Sequence, residues 1–319
     1  MIFLESVLKV PERIKNMEII KINGLTKRYG SLTAVNNISF SVGKGELLGF
    51  LGANGAGKST TINMLSTLIR PDSGTAELCG FRLGGQDTEI RRRIGIVSQN
   101  NCLDNLMTVR ENLLCRGILH GAEKTQAKKR LDELSSIFSL DELLKKSYRT
   151  LSGGQKRRCE IASALMHTPE ILFLDEPTTG LDPAARKEVW ETISTLRKNT
   201  EMTVFLTTHY MEEAAQAGRI IIISQGNIIA DGTPSQLKTQ YAADTLHIYC
   251  SKDKIPQLKK YCPMAKETDN GIQLTISSTL DALPVLSEIK NLINGFEVIQ
   301  GTMDDVFLAA VSDEMKGDE

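Results

Sequence analysis

The stretch Gly52-Ala53-Asn54-Gly55-Ala56-Gly57-Lys58-Ser59-Thr60 constrains this chain more than any other. It spells the G-x-x-x-x-G-K-S pattern of a phosphate-binding loop. Leu47, Leu48, Phe50 and Leu51 lead in as a buried strand. Ile62, Leu65, Leu68 and Ile69 follow at helical spacing until Pro71 and Gly74 end the run. A loop between strand and helix lets its glycines turn backbone N–H groups toward phosphate oxygens, and the helix N-terminus adds partial positive charge. In that setting Lys58 reaches the β- and γ-phosphates and the Ser59 hydroxyl binds Mg²⁺. A glycine-rich turn with an idle lysine is the competing reading, and the strand–loop–helix context opposes it. The stretch reads as a nucleoside triphosphate site.

Composition narrows the class without naming it. A chain of 319 residues has room for about two domains, each with its own core. With 41% hydrophobic and 24% charged residues it is an ordinary globular sequence. A net charge of −1 gives no reason to expect a nucleic-acid partner. Cysteines 79, 102, 115, 159, 250 and 262 form no C-x-x-C pair, which argues against structural zinc and for reduced thiols. The aliphatic run Ile220 to Ile223 is far short of the ~20 residues that span a bilayer. Glu5 and Lys9 interrupt Phe3, Leu4, Val7 and Leu8, so residues 1–16 do not read as a signal peptide. They are expected to be an extension before Met17, and the protein is expected in the cytosol unless a partner holds it at a membrane.

From Met17 the alternations Ile20/Ile22 and Ile38/Phe40/Val42 predict antiparallel strands. Tyr29, between them, either offers a face to a purine ring or packs at a strand end. Arg93 to Gln99 reads as a short buried strand, and Gln99 as a metal-sensing amide or a turn residue. Residues 104–148 are helical and amphipathic: Leu131, Leu134, Ile137 and Phe138 share a face, and Lys128, Lys129 and Arg130 form a solvated one. Leu151-Ser152-Gly153-Gly154-Gln155 opens the next helix, with Ser152 as its cap and the glycine N–H groups as a second anion site.

Ile171 to Glu176 is a buried strand ending in two carboxylates. Acids beside phosphates call for a cation, so Asp175 suits Mg²⁺ and Glu176 suits the orientation or deprotonation of water. Gly180-Leu181-Asp182 closes a turn. Thr203 to Thr208 is one more buried strand, with His209 at its end as a phosphate ligand or a structural histidine. Residues 220–231 predict a hairpin turning at Gln225-Gly226-Asn227. Beyond Tyr241, strands at 246–250, 272–276 and 296–300 and helices at 253–261 and 280–293 predict a small α+β domain. The expected division is 1–16, 17–240 with a helical subdomain near 100–165, and 241–319.

Taken in order, Tyr29, residues 52–59, Gln99, LSGGQ at 151–155, Asp175-Glu176, Gly180-Leu181-Asp182 and His209 resemble the nucleotide-binding domain of ATP-binding cassette (ABC) proteins. The LSGGQ element is the specific one, since most other P-loop ATPases lack it. The resemblance implies an α/β fold with a RecA-like core, an antiparallel β subdomain and a helical subdomain. It implies that Tyr29 stacks on adenine and that Gly52, Asn54, Gly55, Ala56, Gly57, Lys58, Ser59 and Thr60 hold the phosphates of ATP. Ser59, Gln99 and Asp175 would serve Mg²⁺, with Gln99 linking the metal to a membrane partner. Glu176 would be the general base, with His209 and Lys58 on the γ-phosphate. Ser152, Gly153, Gly154 and Gln155, with Asp182, would face ATP held by a second subunit in a head-to-tail homodimer or paralogous heterodimer.

Two kinds of ABC protein compete at this point: a transporter ATPase and a soluble ATPase of the repair or translation type. One cassette without coiled-coil heptads or zinc ligands favours the transporter. The membrane domains would then be a permease on a separate chain, holding this subunit at the inner face of the membrane. The tail Gly301 to Leu308 resembles drug-resistance subunits of the daunorubicin/doxorubicin type, which implies export through an ABC-2-type permease. The cargo class stays open among drug, antibiotic, peptide, ion and polysaccharide.

Overall fold

Strands buried at every position need cover on both faces, and Leu47–Leu51, Ile171–Asp175 and Thr203–Thr208 are of that kind. The computed structural model describes residues 17–100, 102–199 and 201–317, so the 1–16 extension lies outside the described residues. Along the chain, β1 (Glu18–Tyr29) and β2 (Leu32–Gly43) precede β3 (Leu47–Leu51), the phosphate loop and α1 (Lys58–Leu65). Next come β4 (Ser73–Leu78), β5 (Phe81–Arg82), α2 (Asp87–Arg91) and β6 (Ile94–Val97). Helices α3 (Val109–Leu119), α4 (Lys124–Phe138) and α5 (Gly153–Ala164) lead to β7 (Ile171–Asp175), α6 (Pro183–Asn199) and β8 (Thr203–Thr208). The cassette ends in α7 (Met211–Ala214), β9 (Arg219–Ser224), β10 (Asn227–Gly232) and α8 (Pro234–Tyr241).

Among the described residues, one sheet runs β2-β1-β4-β5 and is antiparallel. The central sheet runs β10-β9-β3-β8-β7-β6, parallel from β9 to β6. Only β10 reverses, across a Gln225-Gly226 turn whose two φ values are 45° and 83°. Alternation along the central strands feeds two cores. Leu48, Phe50, Phe173, Phe205 and Ile221 face the antiparallel sheet and α1, whereas Leu47, Leu51, Leu172, Leu174 and Leu206 face the helices. Leu131, Leu134 and Phe138 join the helical core as the spacing predicts. Because β3, β7 and β8 are parallel and neighbouring, their carboxyl ends deliver the phosphate loop, Asp175-Glu176 and His209 to one edge.

One expectation changes. Helix α1 does not continue through Leu68. Thr67 adopts φ 65°, the Leu68 N–H turns back to Asn63 O at 2.9 Å, and the Leu68 side chain is 64% exposed. A left-handed residue with that hydrogen bond ends a helix whatever apolar residues follow.

The elements beyond Tyr241 join two different cores. Elements β11 (Asp244–Tyr249), α9 (Ile255–Tyr261), β12 (Lys266–Thr268), β13 (Gly271–Ile276), α10 (Ala282–Ile289) and β14 (Gly295–Ile299) follow in β-α-β-β-α-β order. Their sheet runs β12-β13-β11-β14, fully antiparallel, with its own core, which is the ferredoxin-like arrangement. The last helix, α11 (Met303–Gly317), leaves that unit. Its Met303, Val306 and Ala310 belong to the cassette's helical core with Leu237 of α8. The tail motif is therefore a capped packing helix, with Thr302 Oγ1 donating to Asp305 Oδ2 at 2.7 Å and accepting from Asp305 N.

Candidate functional site

The phosphate loop owes its path to two glycines that touch other backbone. A Cβ on Gly52 would stand 2.5 Å from Ile223 O, and one on Gly57, at φ 109°, would strike Ala34 O. Gly57 also precedes the first turn of α1, so the helix begins on a left-handed residue with its N–H groups open to the cleft. That cleft, about 450 Å³, has Asn54, Gly55, Gly57, Lys58, Ser59 and Thr60 on one wall. Gln99, Glu176, Thr179 and His209 form the other. A larger groove of about 520 Å³ between α6 and α7 contains none of the sequence-predicted residues, so size alone misleads here.

Lys58 is buried, and its Nζ donates to Gly52 O at 2.8 Å and Ala53 O at 3.1 Å. It also lies 3.3 Å from Glu176 Oε1. Ser59 Oγ donates to Asp175 Oδ1 at 3.2 Å, and Thr207 Oγ1 donates to the same oxygen at 2.6 Å. Chain segments more than a hundred residues apart thus converge on one carboxylate. Ser59, Asp175 and Gln99 offer the hard oxygen donors that Mg²⁺ accepts beside phosphate, and one carboxylate with phosphates is its usual demand. Among the described residues no three His, Cys, Asp or Glu side chains are grouped to hold a metal ion.

Glu176 is the most constrained residue of the cleft. Its φ is 45°, a left-handed conformation that costs a non-glycine residue roughly 1–2 kcal/mol. Its N–H is held by Thr207 O and Thr207 Oγ1, both at 3.1 Å. Thr179 Oγ1 donates to Oε2 at 3.0 Å, and Gln99 Nε2 reaches the same oxygen at 3.5 Å. His209 Nδ1 stands 3.2 Å from Oε2, near enough for charge attraction but without the alignment of a good hydrogen bond. Burial alone would push this carboxyl up. The Thr179 hydrogen bond and the charges of Lys58 and His209 outweigh it and hold the group below its ordinary value.

Other predicted residues lie apart from the cleft. Ser152 caps α5 through a reciprocal pair with Gln155, at 3.3 Å and 3.1 Å. Gly153 lines a second hollow of about 290 Å³, which shares only Gln99 and Thr179 with the first. Asp182 Oδ1 accepts from Ala185 N at 2.9 Å and starts α6. Tyr29 ends β1 half-exposed with Lys27 Nζ 5.6 Å above its ring, and it does not line the cleft.

Sequence reasoning passed over Thr179, Thr207 and Arg157. Arg157 is buried on α5 and contacts both strand-end segments of the cleft. The one signal for it was an Arg and a Glu at i, i+3 among buried positions of a helix. Glu213, nearly fully buried, accepts from Thr178 Oγ1 and from Thr208 Oγ1, tying the turn after β7 to the turn after β8.

Comparison with known proteins follows the same lines. The profile of the family described as ABC transporter matches residues 35–179. The daunorubicin/doxorubicin resistance ATP-binding protein of Streptomyces peucetius is 36% identical over 302 residues, 91% of each chain. The Nod factor export ATP-binding protein I of Ralstonia nicotianae is 36% identical, over 95% of this chain and 97% of its own. The linearmycin resistance ATP-binding protein of Bacillus subtilis is 44% identical over 72% of this chain and 73% of its own. A dimeric ATP-binding cassette solved in a post-hydrolysis state with ADP and Pi superposes with TM-score 0.61 and 28% identity, over 67% of this chain and 98% of that one.

Proposed function

Since the chain belongs to the ATP-binding subunits of the ABC transporter family, and is by that membership an ATPase, we propose that it powers export through a separate membrane permease. ATP binds at the phosphate loop with Mg²⁺, which Ser59, Asp175 and Gln99 would hold. When bound, that cation supplies neutralisation of charge on the β- and γ-phosphates. Glu176 orients water and takes its proton as the water attacks the γ-phosphate in line. Lys58 and His209 meet the charge spreading onto the γ-phosphate oxygens. Tyr29 offers its exposed face to the adenine.

One observation carries the dimeric part of this reading. Gly153, at the 152–155 helix start, lines a hollow that no residue of the phosphate loop lines, though Gln99 and Thr179 border both. Each chain therefore presents two half-sites, one that grips a triphosphate and one that faces outward with an uncovered helix N-terminus. Head-to-tail pairing of two such chains builds two complete sites, with Asp182 at the same seam. ATP bridging then closes the pair and hydrolysis releases it.

Mixing two inactive variants tests the arrangement. Lys58→Met disables the phosphate loop, and Ser152→Asp keeps the cap while placing a negative charge toward the partner's γ-phosphate. A mixed dimer joins both defects in one site and leaves the other intact. Recovery of ATPase activity on mixing is expected, and its absence with both variants folded rules out sites shared between chains.

Export is the direction favoured by the relatives' printed functions, which concern resistance to daunorubicin, doxorubicin and linearmycin and export of Nod factor. A drug, antibiotic, peptide, ion or polysaccharide is the cargo class. Among the described residues no helix is long and apolar enough to cross a membrane. As an ATP-binding subunit of a transporter it works at the cytoplasmic face, seated on its permease. Co-purification with a permease and substrate-stimulated ATPase activity in vesicles test this; a permease that neither binds nor stimulates the subunit contradicts it.

A further inference from the structure

Arg157 uses every donor it has. Its Nε donates to Pro177 O at 2.6 Å, and Nη2 donates to Asp175 O at 3.1 Å and Glu176 O at 3.2 Å. Its Nη1 donates to Ser98 O at 2.6 Å and to Glu160 Oε2 at 2.9 Å. Five N–H groups in a rigid plane thus meet five acceptors, four of them backbone carbonyls. Three of those carbonyls belong to the consecutive residues 175–177 around Glu176, and the fourth immediately precedes Gln99. The guanidinium is itself braced, because Tyr148 Oη donates to Glu160 Oε1 at 2.9 Å and all three side chains are buried.

This fork and Thr207 hold different groups of the Glu176 main chain. Thr207 holds the N–H of Glu176, Arg157 holds its carbonyl, and the left-handed φ of 45° lies between. A carboxylate on so constrained a backbone points where its peptide planes direct it. Arg157 also sits on the first turns of α5, the helix capped by Ser152. A rigid helix moves as one piece, so any displacement of Ser152 and Gly154 displaces the carbonyls of Ser98, Asp175, Glu176 and Pro177 through Arg157.

We propose that Arg157 is a positioning residue for ATP hydrolysis, transmitting the placement of the 152–155 helix start to the Glu176 carboxylate and to Gln99. It acts through the backbone it holds and not on the reacting atoms. It sets the backbone from which Glu176 acts, so that the base is aligned only when α5 is seated. This rests on the reading of Glu176 as the base, and the experiment separates the two.

Arg157→Lys retains the charge opposite Glu160, but one ammonium cannot span four carbonyls. A misplacement on the order of 1 Å costs about a hundredfold in rate. The expected result is a kcat lowered by that factor, with equilibrium ATP affinity and KM within about threefold of the parent. Thermal melting reports whether the lysine variant folds; if it does not, Arg157→Met/Glu160→Gln removes both buried charges together and is measured the same way. Glu176→Gln is assayed beside it, alone and combined with Arg157→Lys. If Arg157 acts through Glu176, the combined variant is no slower than Glu176→Gln. A folded Arg157 variant with parental kcat, a loss in ATP affinity matching the loss in rate, or full additivity with Glu176→Gln overturns the inference. Normal turnover by Glu176→Gln instead removes the base assignment beneath it.

Discussion

Lys58 Nζ and Glu176 Oε1 lie 3.3 Å apart, and both side chains are buried. The cation proposed to meet phosphate and the carboxylate proposed to meet water therefore share one electrostatic environment. A change at either is felt at the other, and the expected effects of substitution follow from that pairing.

Lys58→Ala removes the ammonium from the phosphate loop and leaves Glu176 to Thr179, His209 and Gln99. ATP affinity should fall at least about tenfold, equivalent to ~1.4 kcal/mol. Isothermal titration of the purified chain with ATP checks it. An unchanged dissociation constant would show that the loop lysine does not carry the triphosphate.

Glu176→Gln keeps the shape of the side chain and abolishes the base. Steady-state phosphate release should drop by about 10²–10⁴-fold while ATP binding stays within a few-fold. Light scattering during size-exclusion chromatography should then show ATP-dependent dimers of the variant. Ordinary turnover, or failure to bind ATP, contradicts the assignment.

The pH dependence follows from the downward shift of Glu176. A depressed carboxylate stabilises the fold above its unfolded value and loses that contribution as pH falls through the lower folded value. The Glu176 carboxylate therefore stays ionised below the ordinary 4.5. Thr179→Val deletes the hydrogen bond from Oγ1, so the Glu176 value rises and the acid limb of the rate profile moves to higher pH. Profiles of kcat/KM for parent and variant decide it. A limb that stays in place or moves down excludes Glu176 as the titrating group.

The tail divides into two parts with different costs. Val306→Asp puts an unpaired carboxylate where α11 meets the helical core, and should destabilise the cassette by about 3 kcal/mol or more. Excising 243–300 joins Ala242 to Gly301, whose backbone already pass closely enough that a Cβ on Gly301 would lie 2.7 Å from Ala242 Cβ. The shortened chain should keep a cassette melting temperature within a few degrees. Equal losses from both changes would place α11 and the 244–299 unit in one cooperative body.

Much of the chemistry was legible because it sits in contiguous residues whose spacing has a local physical cause. The phosphate loop, the Ser152 cap and the buried strand ending at Asp175-Glu176 all follow from neighbours within about ten residues. The hairpin at 225–227 and the amphipathic face of α4 were readable for the same reason. Leu68 was misread because periodicity cannot see a left-handed Thr67. The strand β12, Lys266–Thr268, was missed because it is short and polar and exists only by pairing with β13.

By itself the sequence determined which groups are present and the strand–loop–helix around residues 52–60, since backbone conformation and capping are local. It also determined the two-faced burial of the central strands, whose apolar residues run without interruption. The tertiary structure alone decided what meets what. It brought Ser59 and Thr207 onto Asp175, Thr179 and His209 around Glu176, and Arg157 beneath the whole edge. It also returned α11 to a core begun far earlier in the chain. Those contacts depend on strand order and on the parallel alignment of β3, β8 and β7. Strand order is a property of packing between distant segments, which no local spacing encodes.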